Sequence, residues 1–123
     1  MRWTPRVWIV LAAVAGLIAV IAGAFAAHGA TDPVTQELLR TGSTYAFVHV
    51  LATLACAALA RTGMKRVGPA AGFFLAGVLL FSGSLYMLAF GAMPVVGVAT
   101  PVGGFCFMLG WLILIWAAVS ARD

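Results

Sequence analysis

Apolar residues fall in four long runs along the chain, and nearly all of the charge lies in the gaps between them. About 20 consecutive apolar residues in a helix cross a hydrocarbon core of roughly 30 Å. The pattern therefore predicts four transmembrane helices, over about residues 7–27, 43–61, 69–91 and 102–121. The links are short, so the expected architecture is all-α: an up-down bundle of four helices forming one integral membrane domain over residues 1–123. The second run is the shortest and needs its flanks to span fully.

The links carry their own signals. In the first, Asp32 is a good helix N-cap, Pro33 suits the first helical position, and Gly42 can end the turn. Val34 and Leu38 share a face, which predicts a short amphipathic helix lying at the outer interface. Residues 61–68 read as a tight basic hairpin, with Gly68-Pro69 opening the third helix. The last link, residues 92–101, is apolar and rich in turn formers, with Pro94, Gly97 and Pro101; it is expected to lie against the membrane or the bundle. Thr100 then reads as the cap of the fourth helix.

Composition agrees with this pattern. Hydrophobic residues make up 64% and charged residues 8% of the chain, against roughly 45–50% and about 25% in soluble domains. Little is left over for a soluble catalytic module, and no enzyme activity is expected. The net charge of +4 is a topology signal rather than a sign of a nucleic-acid partner. Arg2, Arg6, Arg61, Lys65, Arg66 and Arg122 all fall on one side, leaving only Arg40 on the other. By the positive-inside rule both termini are expected in the cytoplasm, with the chain in the cytoplasmic membrane and lipid as its main partner.

The start of the chain has a rival reading. A basic Met1–Arg6, an apolar stretch and the string Ala24-Phe25-Ala26 resemble a cleavable signal peptide. The stretch is long for that role, and cleavage would leave an odd number of spans, so the first helix is expected to stay. Cys56 and Cys106 differ in depth by roughly 14 Å at 1.5 Å rise per residue, which is beyond disulfide reach. No metal-type cysteine spacing is present, and no cofactor is expected.

Small residues recur every three or four positions in several runs: Ala12, Gly16, Ala19, Gly23 and Ala27; Gly68, Gly72 and Ala76; and, a heptad apart, Gly103 and Gly110. Such stripes let helices approach closely where lipid gives no hydrophobic drive, within the chain or in a homo- or hetero-oligomer.

Topology gathers the remaining polar residues into the outer half: His28, Tyr45, His49, Ser82, Ser84, Tyr86 and Thr100, with Gly103 and Gly104 beside them. An ionisable group inside a membrane is a functional-site hypothesis by default, and His49 is the sharpest case. Its plainer role is a neutral imidazole bonded to a backbone carbonyl or to a serine of the third run. His28 reads as a hydrated helix end, Tyr45 and Tyr86 as interfacial anchors. Ser82 and Ser84 point to different faces of their helix. Thr100, Gly103 and Gly104 also admit a helix terminus that receives an anionic or carbonyl group. His28 and His49 as a haem pair would lie roughly 10 Å apart along the membrane normal, which disfavours that use. Asp32 and Glu37 are solvated, so no acid completes a catalytic triad.

Five ordered motifs, Gly23-Ala24-Phe25-Ala26-Ala27-His28-Gly29, Thr41-Gly42 with Tyr45 and His49, Leu80-Phe81-Ser82-Gly83-Ser84-Leu85-Tyr86, Thr100-Pro101-Val102-Gly103-Gly104 and Gly110-Trp111, resemble the YgdD family. These are small bacterial inner-membrane proteins of unknown function, similar to the animal proteins called transmembrane protein 256. The resemblance covers essentially the whole chain, departing where the family often has glycine at Ala26. It implies a four-helix membrane protein that keeps its first helix, and supplies no activity. The expected function is thus an outer-half polar pocket taking a small polar molecule, a proton or a lipid headgroup. The alternative is a structural or assembly subunit that packs against partner membrane helices.

Overall fold

The computed structural model describes residues 2–122. Among these residues the chain is helical, with four helices long and apolar enough to cross a membrane. We number them α1 (Pro5–His28), α2 (Pro33–Arg61), α3 (Val67–Ala89) and α4 (Pro94–Val119). Their order is up-down. Trp3 beside α1 donates its indole N–H to the carbonyl of Gly68 at the start of α3. Arg66, before α3, lies over the ring of Trp116 near the end of α4. Arg2, Arg6, Arg61, Lys65, Arg66 and Arg122 therefore share one end, called here the basic end; Asp32, Glu37 and Arg40 mark the far end.

Two helix starts differ from the sequence expectation, and one predicted helix does not end where expected. Asp32 does cap α2, its carboxylate accepting from the Thr35 N–H at 3.0 Å, with Pro33 at the first position. The helix then continues through Gly42 into the second span without a break. The amphipathic segment is thus the first turns of a 29-residue helix rather than a separate element. A lone glycine costs about 1 kcal/mol in a helix interior, and here close packing offsets it. A Cβ at Gly42 would sit 2.7 Å from the Tyr86 ring.

Helix α4 also starts early, as a 3-10 turn over Pro94–Val98 that runs into α-helix at Ala99. Thr100 is consequently inside the helix and does not cap it. Proline at position 94 supplies the start that Pro101 was expected to give. Helix α3 begins at Val67, so Pro69 sits in the first turn, where its missing N–H has no helical partner to lose. It also contains one π turn, Val78–Ser82.

The seam between α3 and α4 is a ladder of large residues facing small ones. Phe81 backs onto Gly103, Gly77 onto Phe107, and Phe74 onto Gly110, where a Cβ would lie 2.6 Å from the Phe74 ring. A Cβ at Gly103 would fall on the backbone nitrogen of Phe81. The rungs recur every three or four residues on both helices, the spacing of interdigitated antiparallel helices. The packing role expected for Gly103 and Gly110 is borne out.

In α1, Ala12 and Ala19 are buried and Gly16 and Gly23 meet Val50 and Ser43 of α2, whereas Ala27 is exposed and Ala26 takes its place. Gly68 faces the Trp8 ring of α1, and Gly72 faces Trp3 just before α1. The basic half of the bundle holds an apolar core of Trp8, Ala52, Cys56, Ala57, Val67, Ala70, Ala71, Phe74 and Ala117. Both cysteines are free.

Candidate functional site

The polar residues of the far half sit at the crossings of this bundle, and each buried one is tied to a neighbouring helix. His49 is 4% exposed. Its Nε2 lies 3.1 Å from the indole nitrogen of Trp111 on α4. An indole N–H only donates, so Nε2 must carry the lone pair and the proton must be on Nδ1. Nδ1 then donates to the Tyr45 carbonyl at 2.7 Å. Both ring nitrogens are used within the protein. The imidazole also stacks on Phe107, centroids 3.6 Å apart and planes 7° apart, with Phe74 and Trp111 against its edges. The partner on α4 is a tryptophan, not a serine of α3.

A second tie joins three helices. Ser43 donates its hydroxyl to the Ala19 carbonyl of α1 at 2.9 Å, which leaves its oxygen to accept from the Tyr86 hydroxyl of α3 at 3.0 Å. A third runs from Ser82 to the Gly42 carbonyl at 2.6 Å. The fourth links Ser84 and Thr100 at 2.6 Å; Ser84 also donates to Phe81 O, so Thr100 donates to Ser84. Ser82 and Ser84 do serve different faces, one bonding α2 and the other α4.

Among the described residues the remaining candidates add no side-chain hydrogen bond to these ties. His28 is exposed in the last turn of α1. Tyr45 is 45% exposed, its ring 4.6 Å from Phe81. Helix α4 begins at Pro94, so Gly103 and Gly104 lie inside it and their N–H groups form no cradle at its start; Gly103 packs on the backbone of α3, while a Cβ at Gly104 would meet nothing within 4 Å.

An apolar recess lies elsewhere. A lateral groove of about 450 Å³ runs between α1 and α3, with Leu11, Val14 and Ile18 on one wall and Leu75, Leu79 and Tyr86 on the other. Ser82 borders it, but His28, Tyr45, His49, Ser84 and Thr100 do not. Sequence reasoning missed Ser43, Trp111 and Gly77 as partners. A buried indole N–H usually finds an acceptor, and that tendency was the available signal for Trp111, although the Trp8 N–H on α1 has none among the described residues.

Four apolar helices held together by buried interhelical hydrogen bonds and a glycine–phenylalanine seam define a small multi-pass membrane protein. Comparison with known proteins agrees. A family model described as protein of unknown function (DUF423) matches residues 22–104. The UPF0382 membrane protein YwdK of Bacillus subtilis is 38% identical over 120 residues, covering 94% of this chain and 98% of that protein. A UPF0382 membrane protein of Haemophilus influenzae is 38% identical over 119 residues, with 94% and 96% covered. The UPF0382 inner membrane protein YgdD of Escherichia coli is 36% identical over 123 residues, with 97% and 94% covered. The chain belongs to this UPF0382 (DUF423) family of membrane proteins. No solved structure matches it.

Proposed function

We propose that the protein is a non-enzymatic structural subunit of the cytoplasmic membrane, with both termini on the cytoplasmic side. Its far-half polar residues hold its own helices, and its α1–α3 flank receives a partner membrane helix. One observation carries this reading: the buried polar side chains His49, Ser43, Ser82 and Ser84 are all bonded inside the bundle. With their protons committed to these contacts, none of these groups can donate to a ligand without first breaking one. The groove between α1 and α3 supports the second half of the reading, being apolar and open to the side. Gentle extraction followed by native mass measurement tests it. A mass above the monomer is expected, falling to the monomer in Ala15→Leu/Ala76→Leu, which fills the groove. A wild-type monomer, or a complex unaffected by filling the groove, would overturn the reading.

The small-ligand reading has one observation in its favour. Ser82 and Tyr86 border the groove, so a polar molecule or headgroup entering from the side meets two hydroxyls there. On that reading Tyr86→Phe releases a bound molecule that wild type retains, without changing the oligomeric mass.

A further inference from the structure

At the basic end, the α2–α3 hairpin and the last turn of α4 enclose a cavity of about 590 Å³. Lys65, Arg66 and Arg122 line it together with the hydroxyl-bearing Thr62 and Ser120. We propose that this cavity is a binding site for the phosphate headgroup of an anionic phospholipid. Among the described residues the charge is one-sided; Asp123, which follows Arg122, lies outside them. Among the described residues the only carboxylates, Asp32 and Glu37, lie at the opposite end of α2. Glu37 and Arg61 are separated by roughly 36 Å of helix at 1.5 Å per residue, several Debye lengths at physiological salt.

The hairpin is also held in shape for the task. Gly63 and Arg66 both adopt left-handed backbone, with φ of 89° and 70°. For arginine that conformation is uncommon and is sustained only where the surroundings fix it. The Arg66 guanidinium is fixed by the Trp116 ring, 4.4 Å from its centroid. Stacking uses the face of the guanidinium and leaves its N–H edge to form bidentate bonds with phosphate oxygens.

No hydrogen bond or ion pair among the described residues engages the Lys65 or Arg66 side chain. The rest of the lining, Met64, Ala117 and Ala121, is apolar. A free phosphate has no use for that half, whereas the glycerol and first methylenes of a lipid do. Basic pockets at the ends of membrane helices take anionic headgroups on the same grounds.

The test is native mass spectrometry of the purified protein in a mixture of phosphatidylglycerol and phosphatidylcholine with identical acyl chains. Wild type is expected to retain phosphatidylglycerol at least tenfold over phosphatidylcholine. Lys65→Gln/Arg122→Gln, which spares the left-handed Arg66, removes most of that preference, by up to roughly fivefold per charge. The single Lys65→Gln, an exposed change, gives the first of those steps in a chain whose fold is not at risk. Arg2→Gln/Arg6→Gln removes the same charge from the same end outside the cavity and stays within about twofold of wild type. Equal retention of the two lipids by wild type overturns the proposal, as does a fall in the control matching the cavity variants. Displacement of phosphatidylglycerol by inorganic phosphate at matched ionic strength overturns the lipid as the source.

Discussion

Gly103 and Gly104 are adjacent, chemically identical, and predicted to respond to the same substitution in opposite ways. A methyl group at Gly103 lands on the backbone nitrogen and Cα of Phe81, and main chain cannot rotate aside as a side chain can. Accommodating it means separating α3 from α4, which loosens the rungs at Gly77–Phe107 and Phe74–Gly110 as well. Overpacking of this kind costs about 1–3 kcal/mol, and more where backbone must move. The helix-propensity gain from glycine to alanine returns at most about 1 kcal/mol. Gly103→Ala is therefore expected to lose about 2 kcal/mol. Gly104→Ala meets nothing within 4 Å, keeps only the propensity term, and is expected to be neutral or up to about 1 kcal/mol more stable. Reversible unfolding in mixed micelles of increasing dodecyl sulfate measures both. Equal stabilities for the two variants, or a destabilised Gly104→Ala, would refute the seam. Were Gly103 instead a ligand cradle, its alanine variant would fold normally and fail only in binding.

Other expectations follow from the interhelical ties. His49→Ala removes a stacked ring from beside Phe107 and strands the Trp111 N–H; a loss of about 3 kcal/mol is expected in the same assay. Trp111→Phe, which removes the donor and part of the ring while keeping an aromatic side chain, should cost about 1–2 kcal/mol, and the reverse order would contradict the assignment. Ser43→Ala unlinks Tyr86 from Ala19 and should cost about 1 kcal/mol, with no further loss when Tyr86→Phe is added. At the start of α2, the backbone N–H and then the hydroxyl of Thr35 hold the Asp32 carboxyl below its ordinary value of 3.8. The folded value is the lower one, so the cap is fully effective above about pH 4 and fades as pH falls through the folded value. Hydrogen-exchange protection of Thr35 should drop over that range in wild type and show no step in Asp32→Ala.

Much of the architecture was legible in the sequence because lipid and water are separated by a large energy difference. Four runs and a one-sided distribution of Lys and Arg were enough for the spans and their alternation. Which face of each span turns inward was less legible. Lipid tails are as apolar as leucine, so burial in the bundle leaves no hydrophobic periodicity to read. Phe74 and Phe107 look the same in the sequence as the lipid-exposed Phe105. Only the glycines opposite them, Gly77 and Gly110, betray the seam.

Topology gathered the polar residues toward one end, but their partners were not foreseen. Ser82 bonds a backbone carbonyl, and every residue has one. Gly42 was read as a helix stop because its local preference is for turns, yet the Tyr86 ring requires its missing side chain inside a continuous helix.

His49 joins α2 to α4 through Nε2, while Nδ1 is satisfied within α2 by the Tyr45 carbonyl. Solid-state NMR of ¹⁵N-histidine-labelled protein in lipid bilayers reads it directly, and His28→Gln removes the only other histidine signal. A neutral ring protonated at Nδ1, with Nε2 accepting from the Trp111 indole, is the predicted result. A ring protonated at Nε2, or one whose signals are unchanged in Trp111→Phe, would contradict it.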